Sequence, residues 1–133
     1  MHNGHCECGR VQFEFGGEIN DFSHCHCSQC RRMHGAAYAT FAGVARDKFR
    51  VLSGDSDITK YASSDTHDRW FCGVCGSNIL VELTEEPESF YLSMSAIDGD
   101  PPRPEGYHIF VGSKAVWHEI TDGLKQYDTE PAD

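Results

Sequence analysis

The stretch HCHCSQC, residues 24–30, places three thiols and two imidazoles within seven positions. A single cysteine is most simply read as a small buried hydrophobe. Three at this spacing have the pattern of chelating ligands. In a regular strand Cys25 and Cys27 share one face and His26 points away from it, so a turn must bring Cys30 round to the other two thiols. The remaining four cysteines are also clustered, as CEC (Cys6, Cys8) and as CGVC (Cys72, Cys75). Glycines follow both thiols of the second pair and allow the tight turn that points two sulfurs at one ion. A redox pair of the thioredoxin kind would open a helix in a βαβ setting. CGVC lies between two strand patterns instead, as a zinc knuckle does.

Seven divides as four plus three. Structural zinc takes four protein ligands, and catalytic zinc takes three and keeps one position open. Cys6, Cys8, Cys72 and Cys75 make a closed site that staples the N-terminus to the middle of the chain. Cys25, Cys27 and Cys30 make an open one, and two Zn2+ per chain are expected. Two rival partitions remain at this level. A ribbon-like site could use Cys27, Cys30, Cys72 and Cys75. Alternatively His24, His26 or His34 could complete the triple and close it.

The chain has 133 residues, 39% of them hydrophobic, and is expected to form a single domain over 1–133 with a frayed tail from about 128. No apolar run is long enough to span a membrane, and the first ten residues have no apolar h-region. A cytoplasmic, reducing location is therefore expected, with thiols rather than disulfides. The odd number of cysteines agrees. A formal charge of −10 repels nucleic-acid phosphates and anionic membranes, so no nucleic-acid or membrane partner is expected.

Period-two patterns dominate. VQFEF alternates Val11, Phe13 and Phe15 against Gln12 and Glu14 and stops at Gly16-Gly17. A strand is expected through EINDF into the cysteine triple, followed by a short helix over SQCRRMH, capped by Ser28 and ended by Gly35. AAYATFAGV, FRVLSG, ITKYAS, DRWFC, SNILVEL, ESFYLSMSAI and YHIFVG read as further strands. DGDPPRPEG is a loop. The expected fold is mainly β with one or two short helices.

Taken together, GHCECGRVQFEF, HCHCSQCRRMHG, RWFCGVCGSNI and YHIFVGSKAVWHEITDGLKQYD resemble the glutathione-dependent formaldehyde-activating enzyme family. The resemblance implies a β-tent of small antiparallel sheets around zinc, similar to a Rab-binding zinc chaperone and to centromere protein V. It implies structural-zinc ligands at Cys6, Cys8, Cys72 and Cys75 and catalytic-zinc ligands at Cys25, Cys27 and Cys30. It also implies a carbon–sulfur lyase activity that adds glutathione to formaldehyde. Asn78, Val116 and Lys125 stand where many relatives carry turn prolines.

Zinc held by three thiolates has a formal charge of −1. It polarises a carbonyl poorly and suits capture of a fourth thiol as thiolate. The adduct needs a proton, for which His26 and His24 are the nearest candidates in sequence. Arg31 and Arg69 are candidates for substrate binding, Arg31 to a carboxylate and Arg69 in a pocket wall. Two other classes compete with the enzyme reading: a zinc-stabilised binding module and a thiol redox sensor.

Overall fold

The computed structural model describes residues 1–131. The strands are β1 (His2–His5), β2 (Gln12–Phe15), β3 (Asp21–Cys25), β4 (Ala39–Ala45), β5 (Phe49–Ser53), β6 (Ile58–Ala62), β7 (His67–Cys72), β8 (Asn78–Leu83), β9 (Ser89–Ser93), β10 (Tyr107–Ile109) and β11 (Lys125–Gln126). One α-helix, α1 (Ser28–His34), follows β3, and short 3-10 turns fill several connections. The protein is mainly β, built as a three-stranded sheet β1-β2-β5 and an eight-stranded sheet β11-β10-β3-β4-β9-β8-β7-β6. Pairing is antiparallel except along β10, which runs parallel to both β3 and β11. Among the described residues no helix is long and apolar enough to cross a membrane.

The two faces of the larger sheet serve different purposes. On one face Ala42, Val44, Leu80, Phe90 and Leu92 pack against Val11, Phe13 and Phe15 of the small sheet and form the main core. Ala42, Leu92 and Leu80 are direct cross-strand neighbours, so this face is one continuous apolar row. Residues of the opposite parity, among them Phe41 and Val81, form a second cluster with Cys25 and Cys30. Gly4 of the small sheet also forms an isolated bridge with Ile97, beyond β9. A Cβ on Gly4 would sit 2.4 Å from the Ala96 carbonyl oxygen and 2.2 Å from the Phe13 ring, so only glycine permits this approach.

Several expected boundaries shift. β1 carries no apolar alternation and was not anticipated; it exists because it pairs with β2. The strand expected through 18–22 starts only at Asp21. α1 is capped by Cys27 rather than Ser28, because the Cys27 sulfur accepts the Cys30 N–H at 3.2 Å. Met94 leaves the strand alternation and opens a 3-10 turn. β10 stops at Ile109, where Phe110 takes a left-handed conformation (φ 55°). The tail is ordered further than expected: the Phe110 and Gly112 N–H groups bond to the Thr129 and Asp128 carbonyls. Residues 132–133, the end of the expected frayed segment, lie outside the described residues.

Candidate metal centres and pocket

Cys6 and Cys8 follow β1, Cys72 ends β7, and Cys75 lies in the turn before β8. Gly76 closes that turn at φ 82°, where a side chain would be strained. Sulfurs bound at about 2.3 Å in a tetrahedron stand about 3.8 Å apart. The Cys6 and Cys8 sulfurs are 3.6 Å apart, and those of Cys8 and Cys72 are 3.8 Å apart. All four sulfurs lie within 4.8 Å of one another, which fits a single zinc. The Val11 N–H donates to the Cys6 sulfur at 3.3 Å, and the Ser77 hydroxyl lies 3.2 Å from that of Cys75. The Ser77 hydroxyl, helped by backbone N–H groups, pulls the Cys75 pKa down to about 5. Cys6 and Cys72 are buried, while Cys8 and Cys75 reach the surface.

Cys25, Cys27 and Cys30 form the second group, again within 4.8 Å of one another. No imidazole of the described residues joins them at that distance, and the sulfurs of 72 and 75 belong to the other group. Among the described residues the sulfurs therefore group as four and three. β3 supplies Cys25, and α1, which starts immediately after Cys27, carries Cys30 back over the strand end. Hydrogen bonds from the Cys25 and Cys30 thiols, then the Cys30 and Gln29 N–H groups, hold the Cys27 pKa down at about 2. The Cys25 thiol is pushed up, chiefly because it donates to Cys27 and Cys30.

This second group opens into a pocket of about 580 Å3, within the range of small-molecule sites. Alternate residues of β3 (Asp21, Ser23, Cys25) and of β10 (Tyr107, Ile109) line it. Arg69, from β7, also lines it and is only 3% exposed. Its Nη2 donates to Gln29 Oε1 at 3.0 Å and to the Cys30 sulfur at 3.5 Å, and its Nε donates to Ser63 Oγ at 3.1 Å. No carboxylate pairs with it, and Nη1 has no partner among the described residues. A buried guanidinium needs a counter-charge, and the nearest one is the thiolate cluster.

The other candidates lie elsewhere. His26, the expected proton donor, does not line the pocket. It sits on the opposite face of β3, as strand alternation requires, and is 0% exposed. There the Asp122 carboxylate accepts the His108 Nε2–H at 3.0 Å, so His108 Nδ1 accepts the His26 Nε2–H at 2.8 Å. Burial, then repulsion from His108, lowers the His26 pKa to about 4. His24 shares that face and bonds to Thr40 at 2.8 Å. Arg31 donates to the His26 carbonyl at 3.3 Å and braces the loop instead of reaching the pocket. The pocket's own polar groups, Tyr91, Tyr107, His67 and Gln29, were missed. Parity along β3 and β10 would have separated Tyr107 from His108.

A profile of the glutathione-dependent formaldehyde-activating enzyme family matches residues 1–113, a span that holds all seven cysteines. The chain belongs to this family. Among its relatives, a Halomonas elongata protein named a "putative glutathione-dependent formaldehyde-activating enzyme" is 33% identical, over 88% of this chain and 79% of its own length. An uncharacterised lyase of Schizosaccharomyces pombe is 25% identical over 69% of this chain and 65% of its own length. A crystal structure of a Rhodobacter sphaeroides protein superposes with a TM-score of 0.63 at 29% identity, covering 75% of this chain and 91% of that one. Asp122 and β11 lie beyond the matched family span.

Proposed function

We propose that the protein is a zinc-dependent carbon–sulfur lyase that joins a thiol, such as glutathione, to formaldehyde or a similarly small electrophile. The observation that carries this reading is that the three-cysteine group lines a pocket, whereas the four-cysteine group has four sulfurs of its own. The family membership and the names of the two relatives support it.

Cys25, Cys27 and Cys30 would hold the second metal, and Cys6, Cys8, Cys72 and Cys75 the first. Zinc bound by the three would lower the pKa of an incoming thiol and hold it as a thiolate. Phe41, Val81 and Ile109 make the surrounding wall apolar and limit water at the reacting sulfur. Attack on the carbonyl carbon forms the S–C bond, and the carbonyl electron pair becomes an alkoxide that takes up the proton the thiol lost. Arg69, adjacent to Cys30 in the wall, would stabilise that oxygen without giving up its own proton.

The test is Cys27→Ser. The metal-loaded protein accelerates exchange between formaldehyde and its glutathione adduct, followed by NMR. The variant keeps its fold, loses one metal per chain and loses this acceleration. A wild-type protein with two metals and no effect on exchange for any thiol sinks the enzyme reading. The binding-module alternative would then take its place.

A further inference from the structure

His26 joins Cys25 to Cys27, and the protein holds it at three points. Its N–H donates to the Ile109 carbonyl at 3.0 Å, its carbonyl accepts from Arg31 Nε at 3.3 Å, and its ring bonds to His108 at 2.8 Å. Ile109 and His108 both belong to β10, beside β3. The peptides between the two thiols are therefore set from the face of the sheet opposite the pocket. Cys27 passes that setting on, because its sulfur caps α1 by accepting the Cys30 N–H at 3.2 Å.

The ring bond is the part of this clamp that could run in either direction. Of two neutral imidazoles, either can donate to the other. A carboxylate only accepts, and both Asp122 oxygens lie 3.0 Å from His108 Nε2. His108 thus keeps its proton on Nε2 and turns a lone pair at Nδ1 towards His26. The direction matters because His26 Nδ1 is buried with no partner among the described residues. With Asp122 in place that atom is a bare lone pair. In the reversed chain it would be a buried N–H without an acceptor, the costlier orphan, and the ring would have to move to find one. The Tyr38 ring packs on His26 and the His24 ring on His108, each at 4.8 Å between centroids, so little water reaches the pair.

Asp122 is placed independently of both cysteine groups. Its Oδ1 accepts the Leu124 N–H at 3.1 Å just before β11, and its side chain is 45% exposed. It lines neither the pocket nor either thiol cluster. We infer that Asp122 is a positioning residue for the three-cysteine group, acting through His108 and His26. By imposing one direction on the buried imidazole pair, it fixes the ring, the peptides between Cys25 and Cys27, and the cap that aims Cys30. The inference rests on the reading above only in that this group holds a metal, and it does not need the lyase reaction.

The experiment reads the ring nitrogens of His26 and His108 in the zinc-loaded, nitrogen-labelled protein by long-range proton–nitrogen correlation. Wild type is expected to carry a single proton on each ring, on Nε2 in both. Asp122→Asn keeps an oxygen for the Leu124 N–H and should melt close to wild type. It also offers His108 an N–H, so the direction is no longer imposed and both tautomers should appear. In the cobalt-loaded protein, chelator competition should show the three-cysteine group weakened about threefold, less than the about 10–100-fold expected of a group that touches a metal ligand. The visible bands of that cobalt should shift, and the four-cysteine group should stay unchanged. Asp122→Glu should restore the single tautomer and most of the affinity. A wild-type His108 protonated on Nδ1, or on both nitrogens, overturns the inference. So does an Asp122→Asn protein that fails to fold, that keeps the wild-type tautomers, or that mixes them with cobalt affinity and bands unchanged. Each of these results leaves the proposed reaction standing. A wild-type protein that takes up no metal at the three-cysteine group removes the proposed reaction and this inference together.

Discussion

Cys6 and Cys8 follow a strand of the small sheet, Cys72 and Cys75 end and follow a strand of the large one, and their sulfurs join segments 64 positions apart in the chain. Cys25, Cys27 and Cys30 come from one strand end and the helix that follows it. The first group is satisfied by its own sulfurs, with backbone N–H and Ser77 hydroxyl support. The second has one sulfur fewer, an open cavity above it and a buried arginine beside it. The difference teaches that ligand count alone does not separate a staple from a reactive site. What separates them is whether the cluster closes a long loop of chain or borders a space that a ligand can enter.

The largest expected effect is at the staple. Cys72→Ser removes a fully buried ligand at the end of β7. A metal held there as proposed would contribute folding energy on the order of ten kcal/mol, so the variant should lose one metal and fail to melt cooperatively. A soluble Cys72→Ser protein with two metals and an unchanged Tm would show that the first group is no staple. It would also erase the contrast with Cys27→Ser, which should melt nearly as wild type does.

Arg69→Met is a finer probe. It removes the donor to the Cys30 sulfur, a buried cation beside the open cluster. Metal affinity of that cluster should fall about 10–100-fold, as for other groups that support a metal ligand. Affinity at the four-cysteine group should stay the same. Competition with a graded series of chelators separates the two. Equal weakening at both groups would mean that Arg69 acts through the fold at large.

The smallest effect concerns His34, which lies between the groups. It lines a small cavity with Cys6 and Ser77, while its α1 neighbour Met33 accepts a bond from Asn78 at 3.2 Å. Burial, then the charge of Arg69, lowers its pKa from 6.5 to about 4. The unfolded chain therefore binds a proton that the folded chain refuses. The resulting penalty is absent above about pH 6.5 and grows as pH falls towards 4. His34→Gln should remove it, so wild type should lose a few degrees more than the variant between neutral and mildly acid pH. Parallel melting curves would mean that His34 titrates freely and is not held between the groups.

Much of this was legible in the sequence. Clustered cysteines declare themselves through spacing, and Phe13, Phe15, Phe90 and Leu92 declare the core through their alternation. The boundaries at β1, β3 and Met94 were hidden because edge pairing and 3-10 turns leave little mark on hydropathy. At the site, proximity in sequence misled. His26 lies between two ligands, yet a strand sends it to the opposite face, and Arg31 follows the same loop without entering the pocket. Arg69 is far from the triple in sequence and reaches it through the pairing of β7 with β8. Asp122 joins the histidine face only because β10 runs beside β3, a pairing that no local pattern announces.

That parallel pairing has a consequence for how the chain is made. His26 and His108, which meet through it, are 82 positions apart. The β3–β4 hairpin leaves the ribosome long before its outer neighbour is synthesised. Until Tyr107–Ile109 arrive, one edge of β3 presents unpaired backbone groups next to three reactive thiols, and such an edge is a template for joining another chain. Docking of β10 ends that exposure, and the hydrogen bonds out to Thr129 then hold it in place. The C-terminal segment is thus a late-arriving cover for the growing sheet, and a nascent chain stalled before it would be sticky.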